Sequence, residues 1–235
     1  AYGMSTPVMK DLQRYWLTGY DWREAETELN RYPSYKADVD GMDIHFVHVI
    51  GEAGGRRPLL LTHGWPGSVF EFWDVIGPLA YPSKHGGKAE DAFDLIIPSL
   101  PGYGFSEKPD SPMGQRATAK LWNTLMQDVL GYQTYLAQGG DWGSLVTSWL
   151  GYEHGIVDGK GGCKAIHLNM VGFRPNPPVP ETQAEADWLA SSQAAMQQEG
   201  AYFMEHATKP QTLAMALMDS PMGTAAWIVE KFHGW

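Results

Sequence analysis

The chain has 235 residues, a net charge of -10, 43% hydrophobic and 19% charged residues, and one cysteine. This length suits one large domain, or one domain with part of a second, and the composition excludes a disordered chain. The acidic balance, with no basic run to neutralise phosphates, argues against a nucleic-acid partner, and Cys163 by itself excludes an internal disulfide.

No stretch reaches the roughly 18 consecutive apolar residues of a membrane span, and no basic-then-apolar leader opens the chain. The expectation is a cytoplasmic or otherwise soluble chain, with a membrane anchor upstream of Ala1 left open because Ala1 is not an initiator methionine.

From the N-terminus, Leu12, Tyr15, Trp16, Tyr20, Trp22 and Leu29 stand among charges, which suits one or two short helices, and Pro33 ends that pattern. Val39 to Val49 carries Asp40-Gly41 as a turn signal and then near alternation, the pattern of a hairpin or half-buried strand. Leu59-Leu60-Leu61-Thr62 is apolar throughout, as a strand buried in a parallel sheet is. It runs into His63-Gly64-Trp65-Pro66-Gly67-Ser68. Ser68 is a predicted N-cap, and Glu71 three residues on completes a capping box ahead of Val69, Phe72, Trp73 and Ile76.

Tyr81 to Ala92 reads as an exposed connection and Phe93 to Pro98 as another buried strand. A helix is predicted over Thr118 to Leu130, a strand over Tyr132 to Ala137, a helix from Leu145, and a strand over Cys163 to Met170 with Cys163 a buried structural thiol. Strands alternating with helices indicate an α/β domain with a mainly parallel sheet. Pro175, Pro177, Pro178 and Pro180 then make an extended linker. Beyond it, Glu185 to Glu199, Thr212 to Met218 and a segment starting at Ser220-Pro221 suit helices, read as a separate helical subdomain above the sheet. The resulting division is an N-terminal helical and meander region over 1–38, a core over 39–172 and a helical unit over 173–235.

The chemistry concentrates at Gln138-Gly139-Gly140-Asp141-Trp142-Gly143-Ser144, between a strand and a helix. Small residues around one reactive side chain are what a sharp strand-to-helix turn requires, so this is the pattern of a nucleophile elbow with Asp141 where serine usually stands. The plainer alternative is a glycine turn in which Asp141 caps the helix. His63-Gly64-Trp65-Pro66 leaves its strand at the end where α/β active sites form. An elbow enzyme takes one oxyanion N–H from such a loop and one from the residue after the nucleophile, here Trp65 and Trp142.

Together with Leu100-Pro101-Gly102-Tyr103-Gly104-Phe105-Ser106, these motifs resemble the α/β-hydrolase superfamily and, in detail, its epoxide hydrolases. Tyr20-Asp21-Trp22-Arg23, Leu29-Asn30-Arg31-Tyr32-Pro33 and Asp40-Gly41 resemble the leading region of the microsomal-type and related fungal and bacterial members. The resemblance implies an α/β-hydrolase fold with a partial helical cap and a small apolar epoxide and water as reactants. It implies no cofactor and no metal, and leaves open a homo-oligomer or a completing chain. It also implies a role for Tyr202, in Gly200-Ala201-Tyr202-Phe203, as one of two cap tyrosines that protonate the opening epoxide.

The residue chemistry agrees. An aspartate is an anion at neutral pH, with a reference pKa near ~3.9, and needs no base before it attacks a saturated carbon. Family members place the His and acid that release the ester downstream of the cap, and the chain ends at Trp235 before such a pair. Turnover by this chain alone is therefore an open expectation, and an exposed strand edge is expected to make it prone to aggregation unless another chain completes it. Two rivals stand beside the epoxide hydrolase. One is a haloalkane dehalogenase with its halide on Trp N–H donors, and the other is a non-catalytic or half-catalytic chain that binds small apolar molecules.

Overall fold

A computed structural model describes residues 2–54, 57–157, 160–171 and 179–235. Contacts divide the chain into two units, residues 25–174 and residues 1–24 with 175–235. Tyr15 and Trp16 fall on α1 (Thr6–Thr18) and Trp22 on α2 (Trp22–Leu29), the two short helices their spacing predicts, with Tyr20 in the connection between them.

The larger unit is built on six strands: β1 (Ser34–Val39), β2 (Met42–Val49), β3 (Pro58–Thr62), β4 (Asp94–Pro98), β5 (Tyr135–Gly139) and β6 (Cys163–Leu168). They lie in the order β1-β2-β4-β3-β5-β6. The β1–β2 and β2–β4 pairs are antiparallel, and the β3–β4, β3–β5 and β5–β6 pairs are parallel. Asp40 (φ 51°) and Gly41 (φ 83°) both occupy the left-handed region, the backbone that a two-residue hairpin turn between right-twisted strands requires.

The central strands are mostly apolar because both faces of the sheet are covered. Alternation sends Leu60 and Ile96 to one side, where Trp122, Leu125, Met126 and Leu150 are buried with them. It sends Leu61, Leu95 and Ile97 to the other, against Trp73, Ile76 and Ala80. These partners come from α3 (Trp73–Ala80), from α4 (Gln115–Thr124) and the turn Leu125–Val129 that continues it, and from α5 (Trp142–Glu153), which makes three layers. Two helices differ from expectation in form. The helix after β3 opens with a 3-10 turn over Val69–Phe72, and the one predicted over Thr118 to Leu130 begins at Gln115 and closes in a π-helical turn over Leu125–Val129. Cys163 is buried, and that burial raises its thiol pKa to about 11, as fits an inert structural thiol.

β6 is the last strand in the sheet order, and Lys164 to His167 along it are exposed. Beside it a groove of about 510 Å³ is lined by Leu59, Leu61, Phe72, Val75 and Leu136. An apolar groove next to a sheet edge is the kind of surface expected to promote self-association.

The smaller unit contains α6 (Gln183–Glu199), α7 (Ala201–Thr208), α8 (Pro210–Asp219) and α9 (Pro221–Gly234). Thr182 Oγ1 accepts from the Glu185 N–H while the Glu185 carboxylate accepts from the Thr182 N–H, a reciprocal cap that starts α6. Lys231 on α9 is buried and pairs with Glu230 at 2.7 Å and Glu199 at 3.3 Å. Of the predicted proline linker, Pro175, Pro177 and Pro178 lie outside the described residues. Among the described residues no helix is long and apolar enough to cross a membrane.

Candidate active site

β5 ends at Gly139 and α5 begins at Trp142, so two residues make the whole turn. Asp141 takes φ 49° and ψ -127° there, a backbone region that costs a non-glycine residue on the order of 1–3 kcal/mol. The turn tolerates nothing larger around it. A Cβ on Gly139 would overlap the Gly143 carbonyl, and one on Gly143 would overlap the Thr62 carbonyl at the end of β3.

The Asp141 carboxylate does not cap α5, since its side chain makes no cap hydrogen bond. Oδ1 instead accepts the Trp65 backbone N–H at 2.8 Å. The capping alternative is therefore not what the structure shows: the side chain is presented to the loop after β3, and it is exposed. Gly64 is the point of closest approach, because a Cβ there would overlap the Asp141 carboxyl.

The loop from His63 to Ser68 has no regular structure, and a cis peptide joins Trp65 to Pro66. Buried His63 anchors it: Nδ1–H donates to the Gly64 carbonyl at 3.0 Å and Nε2 accepts the Leu100 N–H at 3.1 Å. Burial lowers the His63 pKa against the opposing pull of the Gly64 carbonyl and Asp141, so the neutral ring that this bonding needs is favoured. Ser68 accepts the Phe70 N–H at 3.2 Å as the predicted cap. Glu71 departs from expectation. Its carboxylate does not close a capping box but faces the Gly64 N–H at 3.5 Å.

Two residues at this centre carried no role in the sequence reading. Tyr103, in the loop after β4, has its phenol pushed up to about 12 by burial and by the charge of Asp141. Asn169, following β6, lies where a Cβ on Gly140 would meet its side chain. Neither had a signal beyond its neighbours in the chain. The stretch Leu100 to Ser106 entered only as part of the family resemblance, and nothing in it revealed that Tyr103 feels Asp141.

Residues 57–211 match the family model described as alpha/beta hydrolase fold, and residues 1–72 match the one described as Epoxide hydrolase N terminus. The chain belongs to the α/β-hydrolase fold family. The "Putative epoxide hydrolase" of Stigmatella aurantiaca (strain DW4/3-1) is 47% identical over 99% of this chain and 52% of its own length. Epoxide hydrolase 1 of Oryctolagus cuniculus is 36% identical over 100% of this chain and 55% of its own. Among solved structures, juvenile hormone epoxide hydrolase from the silkworm Bombyx mori superposes with a TM-score of 0.86 at 33% identity, over 100% of this chain and 57% of the other. The chain spans about half the length of the curated relatives it matches.

In this α/β-hydrolase chain the elbow residues Asp141, Trp65 and Trp142 belong to the larger unit, with Trp142 the first residue of α5. Tyr202 belongs to the smaller one, on α7. The Tyr202 ring is edge-on to His206 at 5.8 Å and tilted against Trp235 at 5.3 Å, and Lys231 Nζ lies 5.1 Å from its centroid. Among the described residues no cluster of His, Cys, Asp and Glu could hold a metal ion.

Proposed function

We propose that this chain carries the ester-forming centre of an epoxide hydrolase, with Asp141 as nucleophile, Tyr202 as acid, and the Trp65 and Trp142 N–H groups as oxyanion donors. The observation that carries the reading is the 2.8 Å bond from the Trp65 N–H to Asp141 Oδ1. With Oδ1 held, Oδ2 is the oxygen left to attack. It bonds to an epoxide carbon, the ring C–O bond breaks with its electron pair passing to the epoxide oxygen, and Tyr202 gives that oxygen its proton.

Oδ1 then becomes the carbonyl oxygen of the ester. When water adds to the Asp141 carbonyl carbon, negative charge develops on the atom that already faces an N–H donor. We assign no residue of this chain to activating that water. His63, which feels the Asp141 charge, has both ring nitrogens engaged with backbone. On this reading the ester forms faster than the isolated chain discharges it.

Parallel incubations with styrene oxide and with chlorohexane test the reading. The expected result is a chain heavier by one styrene oxide and no chloride release. Chloride release without an epoxide adduct would move the assignment to a dehalogenase. Neither adduct nor chloride would leave a non-catalytic chain.

A further inference from the structure

An oxyanion donor works only if its direction is fixed before charge develops. The loop carrying the Trp65 N–H has no helix or strand geometry to fix it, and its bond to Asp141 Oδ1 changes character as the ester forms and breaks. Supports independent of the nucleophile can fix that direction, and His63 supplies one at the start of the loop, at Gly64.

Glu71 meets that need from the turn after the loop. Its Oε1 faces the Gly64 N–H at 3.5 Å. The same carboxyl lies so close to Gly67 that a Cβ there would overlap both Oε1 and Cδ. Gly64 and Gly67 bracket Trp65-Pro66, so one carboxyl touches the loop on both sides of the donor. Asp141 also comes close to Gly64, so this residue meets two carboxyl groups. Although Glu71 as a residue is exposed, burial of its carboxyl end raises that group's pKa, the Gly64 N–H lowers it, and the charge of Asp141 raises it again. The side chain forgoes the capping box its spacing offered in order to sit there.

We propose that Glu71 is the positioning residue of the oxyanion loop, gripping Gly64 and Gly67 so that the Trp65 N–H stays aimed at Asp141 Oδ1. This rests on the ester-forming reading only for its kinetic consequence, and the grip itself can be measured with no substrate present.

The test is amide hydrogen exchange by NMR on the 235-residue chain. In Glu71→Ala the Trp65 amide should exchange about tenfold faster, the effect of losing roughly one hydrogen bond's stabilisation, while Leu60 and Leu61 in β3 keep their protection. Glu71→Gln, which retains the shape and an acceptor oxygen, should stay within about twofold of the parent. Gly67→Ala should reproduce Glu71→Ala by displacing the carboxyl, and the double variant should be no faster than either, because both break one contact. If Glu71→Ala loses the β3 protection, Glu71→Asp replaces it; its shorter side chain should free Trp65, and Glu71→Gln should not. With styrene oxide, adduct formation should slow about tenfold in Glu71→Ala, because Oδ1 is no longer held in the orientation that presents Oδ2, and recover in Glu71→Gln. No adduct on the parent chain would sink the epoxide reading and leave the exchange data to judge the grip. Trp65 exchange unchanged in Glu71→Ala, or equal in the Gln and Asp variants, would overturn the assignment of Glu71.

Discussion

The elbow at Asp141 and the helix carrying Tyr202 are held by different kinds of interaction. At the elbow, backbone meets backbone: the strained Asp141 turn is closed by glycines pressed against carbonyl groups, and the carboxylate is oriented by a main-chain N–H. On α7, side chains do the holding, with Tyr202 set among His206, Trp235 and the buried cation of Lys231. Backbone contacts of the first kind admit almost no substitution, whereas ring contacts of the second kind survive any replacement that keeps the ring. The two proposed catalytic side chains should therefore answer mutation differently.

The largest expected effect is at Asp141. Asp141→Gly should lower ester formation by about 10⁴-fold or more, the scale of losing a nucleophile. The same change should stabilise the fold by about 1 kcal/mol, because glycine tolerates φ 49°. Adduct mass and urea midpoints read the two outcomes, and a destabilised Asp141→Gly chain would mean that the turn is not strained. Next comes Gly143→Ala, whose Cβ would run into the Thr62 carbonyl. Overpacking against backbone should cost about 3 kcal/mol in a urea titration, and a loss below about 0.5 kcal/mol would contradict the close packing.

Tyr202→Phe should slow ester formation about a hundredfold, as loss of a general acid does. Its ring contacts remain, so the variant should still fold; an equal rate would remove Tyr202 from the acid role. The smallest effect concerns pH. Burial lowers the folded-state pKa of His63 below its ordinary value of 6.5, so above 6.5 the ring is neutral in both the folded and unfolded chain. Below it the unfolded chain takes up a proton that the folded chain resists. Stability should therefore fall as pH drops through 6.5, by up to about 1.4 kcal/mol per pH unit for each such group. His45 and His48, also lowered by burial, share this direction. Urea midpoints at neutral and mildly acid pH, with His63→Gln for comparison, measure it, and a flat profile would contradict a buried neutral His63.

The contrast between the two regions also explains what was legible in the sequence. Gly139 and Gly143 record backbone approach and Gly64 approach to the Asp141 side chain, so the sharp turn and the loop facing it were visible in residue types, while the choice between a nucleophile and a capping aspartate was not. The strands Leu59 to Thr62 and Phe93 to Pro98 were legible because a strand covered on both faces is nearly continuous in apolar residues, with buried Thr62 and Asp94 at their ends. Tyr202 is one tyrosine among 11, and only its family context distinguished it. Glu71 was misread because Ser68 and Glu71 have the spacing of a capping box, whereas a 3-10 start to the helix leaves the carboxylate free to turn toward Gly64. Tyr103 was missed because its relation to Asp141 joins the ends of two strands that the chain order does not bring together.

The central claim is that Asp141, and no other group, forms the covalent bond to substrate. Fragmentation mass spectrometry of the styrene oxide-treated chain tests it most directly. The expected result is the added mass on Asp141 within the peptide that spans Gly139 to Gly143, and none in Asp141→Gly. Added mass on another residue, or diol released while Asp141 is never modified, would contradict it.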